Sequence, residues 1–198
     1  MDRLLRQERD GEGLHLRHAG RGGEPRRVTE RVPSWWHSWS PDGSRIAYAG
    51  VRRDEGPVSL FTCRVDGSDE VCVAEDFDHI DGPDYSADGA WIWFNGEREG
   101  RVDLWRIRPD GSGRERMTGG ETLDRFPHPS PDGRLVLYLA YPPGTRGHPS
   151  NLDVSLRVLP QEGGESREVV RLLGGQGTIN VPCWAPDGRR FAFMRFVP

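Results

Sequence analysis

The sequence predicts an all-β protein, a β-propeller of four-stranded antiparallel blades. Two observations carry that prediction: a turn tetrapeptide that recurs along the chain, and an apolar pattern that recurs at fixed distances from it. The turns are Ser40-Pro41-Asp42-Gly43, Ser86-Ala87-Asp88-Gly89, Ser130-Pro131-Asp132-Gly133 and Ala185-Pro186-Asp187-Gly188, with aspartates 46, 44 and 55 residues apart. Four residues past each aspartate stand Ile46, Ile92, Val136 and Phe191, and six past it stand Tyr48, Phe94, Tyr138 and Phe193. That spacing of two is the side-chain period of a strand. Three residues before the aspartates are Trp39, Tyr85, Pro129 and Trp184, so in three copies an aromatic ends the strand entering the turn. Further on, Leu60-Phe61 leads to Asp66-Gly67, Leu104-Trp105 to Asp110-Gly111 and Leu156-Arg157 to Glu162-Gly163, each a second strand-turn-strand signal. Units of four short strands repeating about every 40 to 45 residues are the mark of propeller blades.

The elements follow in order. Met1 to Gly13 match no pattern; Leu14-His15-Leu16-Arg17 reads as a third blade strand, Gly22-Gly23 as a turn and residues 26–29 as a fourth strand. Complete blades span about 33–76, 79–120 and 123–173, the last lengthened by a loop from Tyr141 to Asn151 that holds Pro142-Pro143-Gly144 and His148-Pro149. A final half blade has its first strand near 180–184 and its second near 190–196. The two terminal halves are complementary, so residues 1–198 form a single domain whose fourth blade is 179–198 plus 13–30. About four blades result, and an open arc, an incomplete six-bladed ring, is favoured over a closed ring of four. An open arc exposes apolar blade faces and invites self-association.

The turn residues explain themselves. Proline presets the first turn dihedral, aspartate hydrogen-bonds to nearby amides, and glycine takes the positive φ that closes the hairpin. Asp42, Asp88, Asp132 and Asp187 are therefore scaffold residues rather than acids or bases. Trp39-Ser40-Pro41-Asp42-Gly43 followed by Arg45-Ile46-Ala47-Tyr48 resembles the TolB-like (WD-like) β-propeller repeat, which also occurs in the propellers of prolyl oligopeptidases. Arg125-Phe126-Pro127-His128 and the run from Gly174 to Pro182 ahead of Trp184 are similar to bacterial TolB-family proteins. The resemblance covers about residues 22–198. It implies a six-bladed ring and, for TolB itself, the periplasm.

Composition removes several function classes. The 198 residues are 34% hydrophobic and 29% charged with a net charge of -4, and all 27 basic residues are arginine. Without lysine there is no Schiff-base chemistry and no P-loop. Interspersed arginine and acid give no basic stripe, so no nucleic-acid partner is expected. Cys63, Cys72 and Cys183 form no C-x-x-C pair, which argues against a disulfide framework or a thiolate zinc site. No apolar run reaches the roughly 20 residues of a membrane span, and the opening residues lack the apolar stretch of an export signal. As written the chain reads cytoplasmic; a missing leading segment would make it periplasmic.

Blade topology puts the aspartate turns at one end and the loops joining second to third strands, with the links between blades, at the other. The second end collects the candidate ligand-binding residues Trp36, His37, His79, Asp81, Arg125, His128, His148, Gln176 and Asn180, because binding groups favour loops on a rigid scaffold. Arg52, Arg53, Arg98, Arg101 and Arg146, also near this end, would suit a carboxylate-bearing partner. His37, His79 and His128, read as equivalent positions of consecutive blades, could converge with Gln176 on a divalent metal; no other cofactor is expected. Oligogalacturonate lyases, whose propellers are related, use a His and Gln metal site in this general position. There is no G-x-S-x-G elbow, and Gly174-Gly175-Gln176-Gly177 reads as the link into the last blade. The reading is a noncatalytic scaffold that binds a peptide or protein partner through its loop-rich face. The alternative is a metal-dependent lyase or hydrolase acting on an acidic saccharide at the funnel.

Overall fold

The computed structural model describes residues 3–9, 12–18 and 25–197. Strand β1 (Arg3–Arg9) pairs antiparallel with β2 (Glu12–His18), and β2 pairs with the short β3 (Arg26–Arg27), giving a three-stranded sheet. The first complete blade is β4 (Ser34–Trp39), β5 (Arg45–Gly50), β6 (Ser59–Arg64) and β7 (Val71–Ala74). The second is β8 (His79–Tyr85), β9 (Ile92–Arg98), β10 (Arg101–Ile107) and β11 (Glu115–Arg116). The third is β12 (Leu123–Pro129), β13 (Leu135–Tyr141), β14 (Ser150–Pro160) and β15 (Arg167–Gly175). Each complete blade is one four-stranded antiparallel sheet in chain order.

The two-residue period is what joins the blades. Ile46 and Tyr48 face backward onto Val28, whereas Ala47 between them faces forward into the cluster of Leu60, Ile80, Ile92 and Phe94. One repeat later Trp93 faces forward onto Val136 and Tyr138, and one further Leu137 joins the last cluster, against which Trp184 and Phe191 pack. Each complete blade thus buries apolar residues on both faces, as sheets packed face to face must.

The recurrent turn is built the same way in the three complete blades. In the first, Gly43 N donates to Ser40 O at 2.8 Å with Gly43 at φ 71°, and Ser40 Oγ donates to Asp42 Oδ1 at 2.6 Å. The Asp42 carboxylate also accepts the amide of Ser44 at 3.0 Å. Ser86–Asp88 and Ser130–Asp132 repeat the 2.6 Å bond, while at the fourth turn Ala185 offers no hydroxyl and Asp187 accepts the amide of Arg189 and the guanidinium of Arg190. These bonds favour the ionised carboxyl: Asp42 is held down at about 2, chiefly by the Ser40 hydroxyl, and Asp132 at about 2, chiefly by Ser130. A carboxyl depressed on folding stabilises the protein above its unfolded value and loses that contribution as pH falls through the folded one. Acid unfolding should therefore steepen from about pH 4 down to about pH 2. Asp132→Asn should flatten that part of a melting-temperature profile, and an unchanged slope would remove the carboxylate from the acid response.

The terminal regions differ from expectation. Arg3–Arg9, which matched no pattern, pairs along its whole length with β2, so an N-terminal strand takes the edge that a C-terminal second strand was expected to fill. Among the described residues, no segment of 180–196 joins the β1–β2–β3 sheet. Near the other terminus, Trp184 bridges Phe191 around the fourth turn, with Ala192 N donating to Cys183 O at 3.0 Å; the chain then follows the third blade, Met194 N donating to Thr178 O and Phe196 N to Leu173 O at 3.0 Å each. The expected turn at Gly22-Gly23 lies outside the described residues.

Candidate functional site

The first strands of the three complete blades, β4, β8 and β12, each carry a β-bulge, with register shifts between Trp35 and His37, Asp81 and Asp84, and Arg125 and His128. In every case the residue six before the turn aspartate takes positive φ: Trp36 at 44°, Gly82 at 57° and Phe126 at 56°. Bulges re-aim side chains and recur beside binding sites. At Gly82 the reason for glycine is local, since a Cβ there would meet Asn95 Oδ1 at 2.9 Å and the Phe126 ring at 3.2 Å.

The bulges open a chamber of about 330 Å³ whose walls include Trp35, Trp36, His79, Asp81, His148 and Gln176. Phe126 and Trp36 stack in a tilted pair 5.3 Å apart, and the His148 ring stands edge-on to Phe126 at 5.6 Å, which holds the 141–151 loop over the chamber. Asp81 is buried, accepts the Gly82 amide at 2.9 Å, and lies 3.6 Å from His148 Nε2. Arg125, only 2% exposed, approaches Glu97 at 3.7 Å. Burial works against its charge, and Asp81 and Glu97 support it. His79 and His148 are both held below the usual imidazole value, first by burial and then by Arg125. At neutral pH these rings are uncharged, each able to donate one hydrogen bond and accept another.

A second group surrounds a small recess shared by Trp36, His37, Asp84, Phe126, His128 and Asn180. Ser38 Oγ donates to Asp84 Oδ1 at 2.6 Å and accepts the Tyr85 amide at 3.0 Å. His128 Nδ1 meets Asp84 Oδ2 at 3.0 Å, and its Nε2 donates to Ile179 O at 2.6 Å. Trp184 Nε1 donates to His128 O at 2.8 Å. Ser38, Asp84 and His128 each stand four residues before their turn aspartate, so one repeat position forms a belt from blade to blade.

Of the residues chosen from sequence, Trp36, His79, Asp81, His148 and Gln176 meet at the chamber, with Arg125 buried nearby. His37, His128 and Asn180 do not; they border the recess, and Asn180 Oδ1 accepts the Gly177 amide at 2.7 Å within its own loop. The proposed metal set of His37, His79, His128 and Gln176 is divided in the same way. These histidines are not at equivalent positions: they stand five, nine and four residues before their turn aspartates, within strand rather than ahead of it. Both ring nitrogens of His128 already face protein acceptors, and the described residues include no group of three or more His, Cys, Asp or Glu able to hold a metal. Arg52, Arg53, Arg98 and Arg101 are engaged by Glu70, Glu75, Asp76 and Asp103. Gly174 and Gly175 end β15 and open the last link, as expected. Sequence reasoning missed Ser38 and Asp84 as belt members; aligning the repeats on their aspartates would have shown the belt.

Three consecutive four-stranded antiparallel blades, with a cavity beside the bulged first strands β4 and β8, define a β-propeller. No protein-family model matches the chain. It is 42% identical over 177 residues to an uncharacterized protein of Agrobacterium fabrum, covering 89% of this chain and 60% of the length of that curated relative. Its fold matches a solved TolB-like structure from Agrobacterium tumefaciens with a TM-score of 0.93 and 39% identity, over 100% of this chain and 71% of the other. The chain therefore belongs to the TolB-like β-propeller family. TolB from Acinetobacter baumannii matches with a TM-score of 0.71 and 14% identity over 85% of this chain and 40% of its own. An oligogalacturonate lyase in complex with manganese gives 0.62 and 16% over 85% and 50%. At those identities the likeness is one of fold alone. No helix among the described residues is long and apolar enough to cross a membrane.

Proposed function

We propose that this TolB-like propeller is a noncatalytic scaffold whose chamber receives a side chain of a peptide or protein partner. The observation that carries the reading is the pair Trp35–Trp36 opening onto a cavity of about 330 Å³ with a short polar wall. Concave sites with aromatic walls and a few placed polar groups are what ligands and interface anchors occupy. The enzymatic alternative, a metal-dependent lyase or hydrolase of an acidic saccharide, gains little support: its metal residues lie in two separate groups, and the lyase likeness reaches only the fold.

Selection of a random peptide library on the intact protein tests the reading. Selected peptides should lose affinity roughly tenfold or more on Trp36→Ala, as interface anchors do. His148→Ala should weaken them with little change in melting, because loop substitutions usually cost less than about 0.5 kcal/mol. Peptides that bind both variants as well as the parent would reject the chamber. The family relationship supports a periplasmic location over the cytoplasmic one read from the opening residues; recovery of the full-length product in the cytosolic fraction would reject it.

A further inference from the structure

The repeat allows the two seams between complete blades to be compared position by position. Between the first and second blades, Phe77, eleven residues before Asp88, plugs the seam. Its ring packs 5.5 Å from Phe94 and 5.2 Å from Trp105, which pair across β9 and β10, with Ile80 buried in the same cluster. Between the second and third blades the same positions hold Glu121, Tyr138, Arg157 and Asp124. Tyr138 pairs across from Arg157 as Phe94 does from Trp105. Phe77, Ile80 and Trp105 give way to charged residues and Phe94 to a tyrosine, and no apolar plug stands in this seam. This seam is an open cleft of about 620 Å³, bounded by the 118–122 link on one side and by Leu159, Gly164 and Ser166 on the other.

Burying polar groups costs stability that the apolar seam avoids. Asp124 is 2% exposed and Tyr138 1%. Thr122 Oγ1 donates to Asp124 at 2.8 Å, yet burial pushes that carboxyl above the usual range, with the Asp103 charge adding to the shift. Arg157 spends Nε and Nη2 on the hydroxyl and carbonyl of Ser166 at 3.1 to 3.3 Å, and among the described residues no carboxylate lies within ion-pairing distance of it. Arg116 at the rim is held by Asp103 at 2.7 Å. The cleft therefore presents one guanidinium with no carboxylate in direct contact, though the charge of Asp124 acts on it from within the same cleft, among the hydroxyls of Thr118, Thr122, Ser166 and Tyr138. Thr118 Oγ1 already accepts the Leu104 amide at 2.9 Å and Thr122 donates to Asp124, so the lining offers a carboxylate a charge-assisted contact and offers a ligand's hydroxyl groups the remaining acceptor lone pairs.

We propose that the cleft between the second and third blades binds a small hydroxylated carboxylate, a sugar acid or hydroxy acid, with its carboxylate on Arg157 and its hydroxyls among Thr118, Thr122 and Ser166. The site is separate from the chamber, so either reading can fail without the other. The test is titration of the intact protein with D-gluconate and D-glucuronate, followed by calorimetry and amide chemical shifts, with glucose and sulfate as controls. At least one acid should bind at millimolar concentration and shift the amides of 116–122 and 164–166. Arg157→Gln should weaken binding roughly tenfold or more, the scale of a lost charge-assisted contact. Glu121→Phe, on the exposed link, should abolish it by supplying the plug that Phe77 provides next door, and it decides the matter if Arg157→Gln fails to fold. No binding of either acid, or binding that survives Glu121→Phe, would overturn the proposal. Equal binding of glucose would remove the carboxylate from it, and equal binding of sulfate would reduce the cleft to a plain anion site and overturn the hydroxylated class.

Discussion

Phe77→Ala is expected to destabilise the protein by about 3 to 5 kcal/mol, the range for deleting a buried phenylalanine ring. Phe77 contacts both blades that it joins: Val73 and Ala74 share its cluster from the first, Ile80, Ile92 and Phe94 from the second. Its ring also carries the Arg98 guanidinium 4.3 Å above it and that of Arg114 at 5.4 Å, while Asp76 pairs with both arginines. Removing the ring leaves a cavity between two sheets that cannot close without tilting a blade, so relaxation should recover little. Gly96 supplies an independent check, because a Cβ there would meet the Phe77 ring at 2.5 Å. Gly96→Ala should destabilise by overpacking, about 1 to 3 kcal/mol. Denaturant unfolding reads both, and a loss below about 1 kcal/mol for Phe77→Ala would mean that the seam is held by other contacts.

His128→Ala should cost about 2 to 4 kcal/mol, because it leaves a buried carbonyl without a donor and a carboxylate with one bond fewer. His128 spans from Asp84 on the second blade to Ile179 beyond the third, and Ser38 of the first blade secures the other oxygen of Asp84. The effect should reach beyond the substituted residue: hydrogen exchange of Thr178, beside Ile179, and of Met194, whose amide donates to Thr178 O, should accelerate along with the third blade. Asp84→Asn keeps the shape and removes the charge, so it should fall between parent and His128→Ala. A stability of His128→Ala within about 0.5 kcal/mol of the parent would show that the belt contributes no cohesion.

The blades were legible in the sequence because their determinants are local. A turn aspartate binds the hydroxyl two residues before it and the amide two residues after it, and the strand that follows shows its two faces by simple alternation. Those contacts depend on neighbours a few positions away, so Ser40, Asp42, Gly43, Ile46 and Tyr48 suffice to mark a hairpin wherever they recur. Strand β1 escaped because Arg3–Arg9 is too polar to alternate clearly, although Asp10-Gly11 between it and β2 is an ordinary two-residue hairpin signal.

The site followed a different logic. The loop-rich end of the blades could be chosen from connectivity, and four of the residues chosen there, His79, Asp81, His148 and Gln176, line one cavity. Which of these would meet depended on the bulges at Trp36, Gly82 and Phe126, each of which shifts strand register by one residue and so changes the direction of every side chain before it. With a period of two, His37, His79 and His128 at unequal distances from their turns reach different levels and faces, and a metal set drawn from them separates. The open cleft likewise arose from Glu121, Tyr138, Asp124 and Arg157, which lie as much as 36 residues apart in the chain and come together only where two blades pack. Repeat, strand and turn are written in short-range chemistry, whereas chamber, belt and cleft are made of contacts across blades, whose partners are set by register and packing.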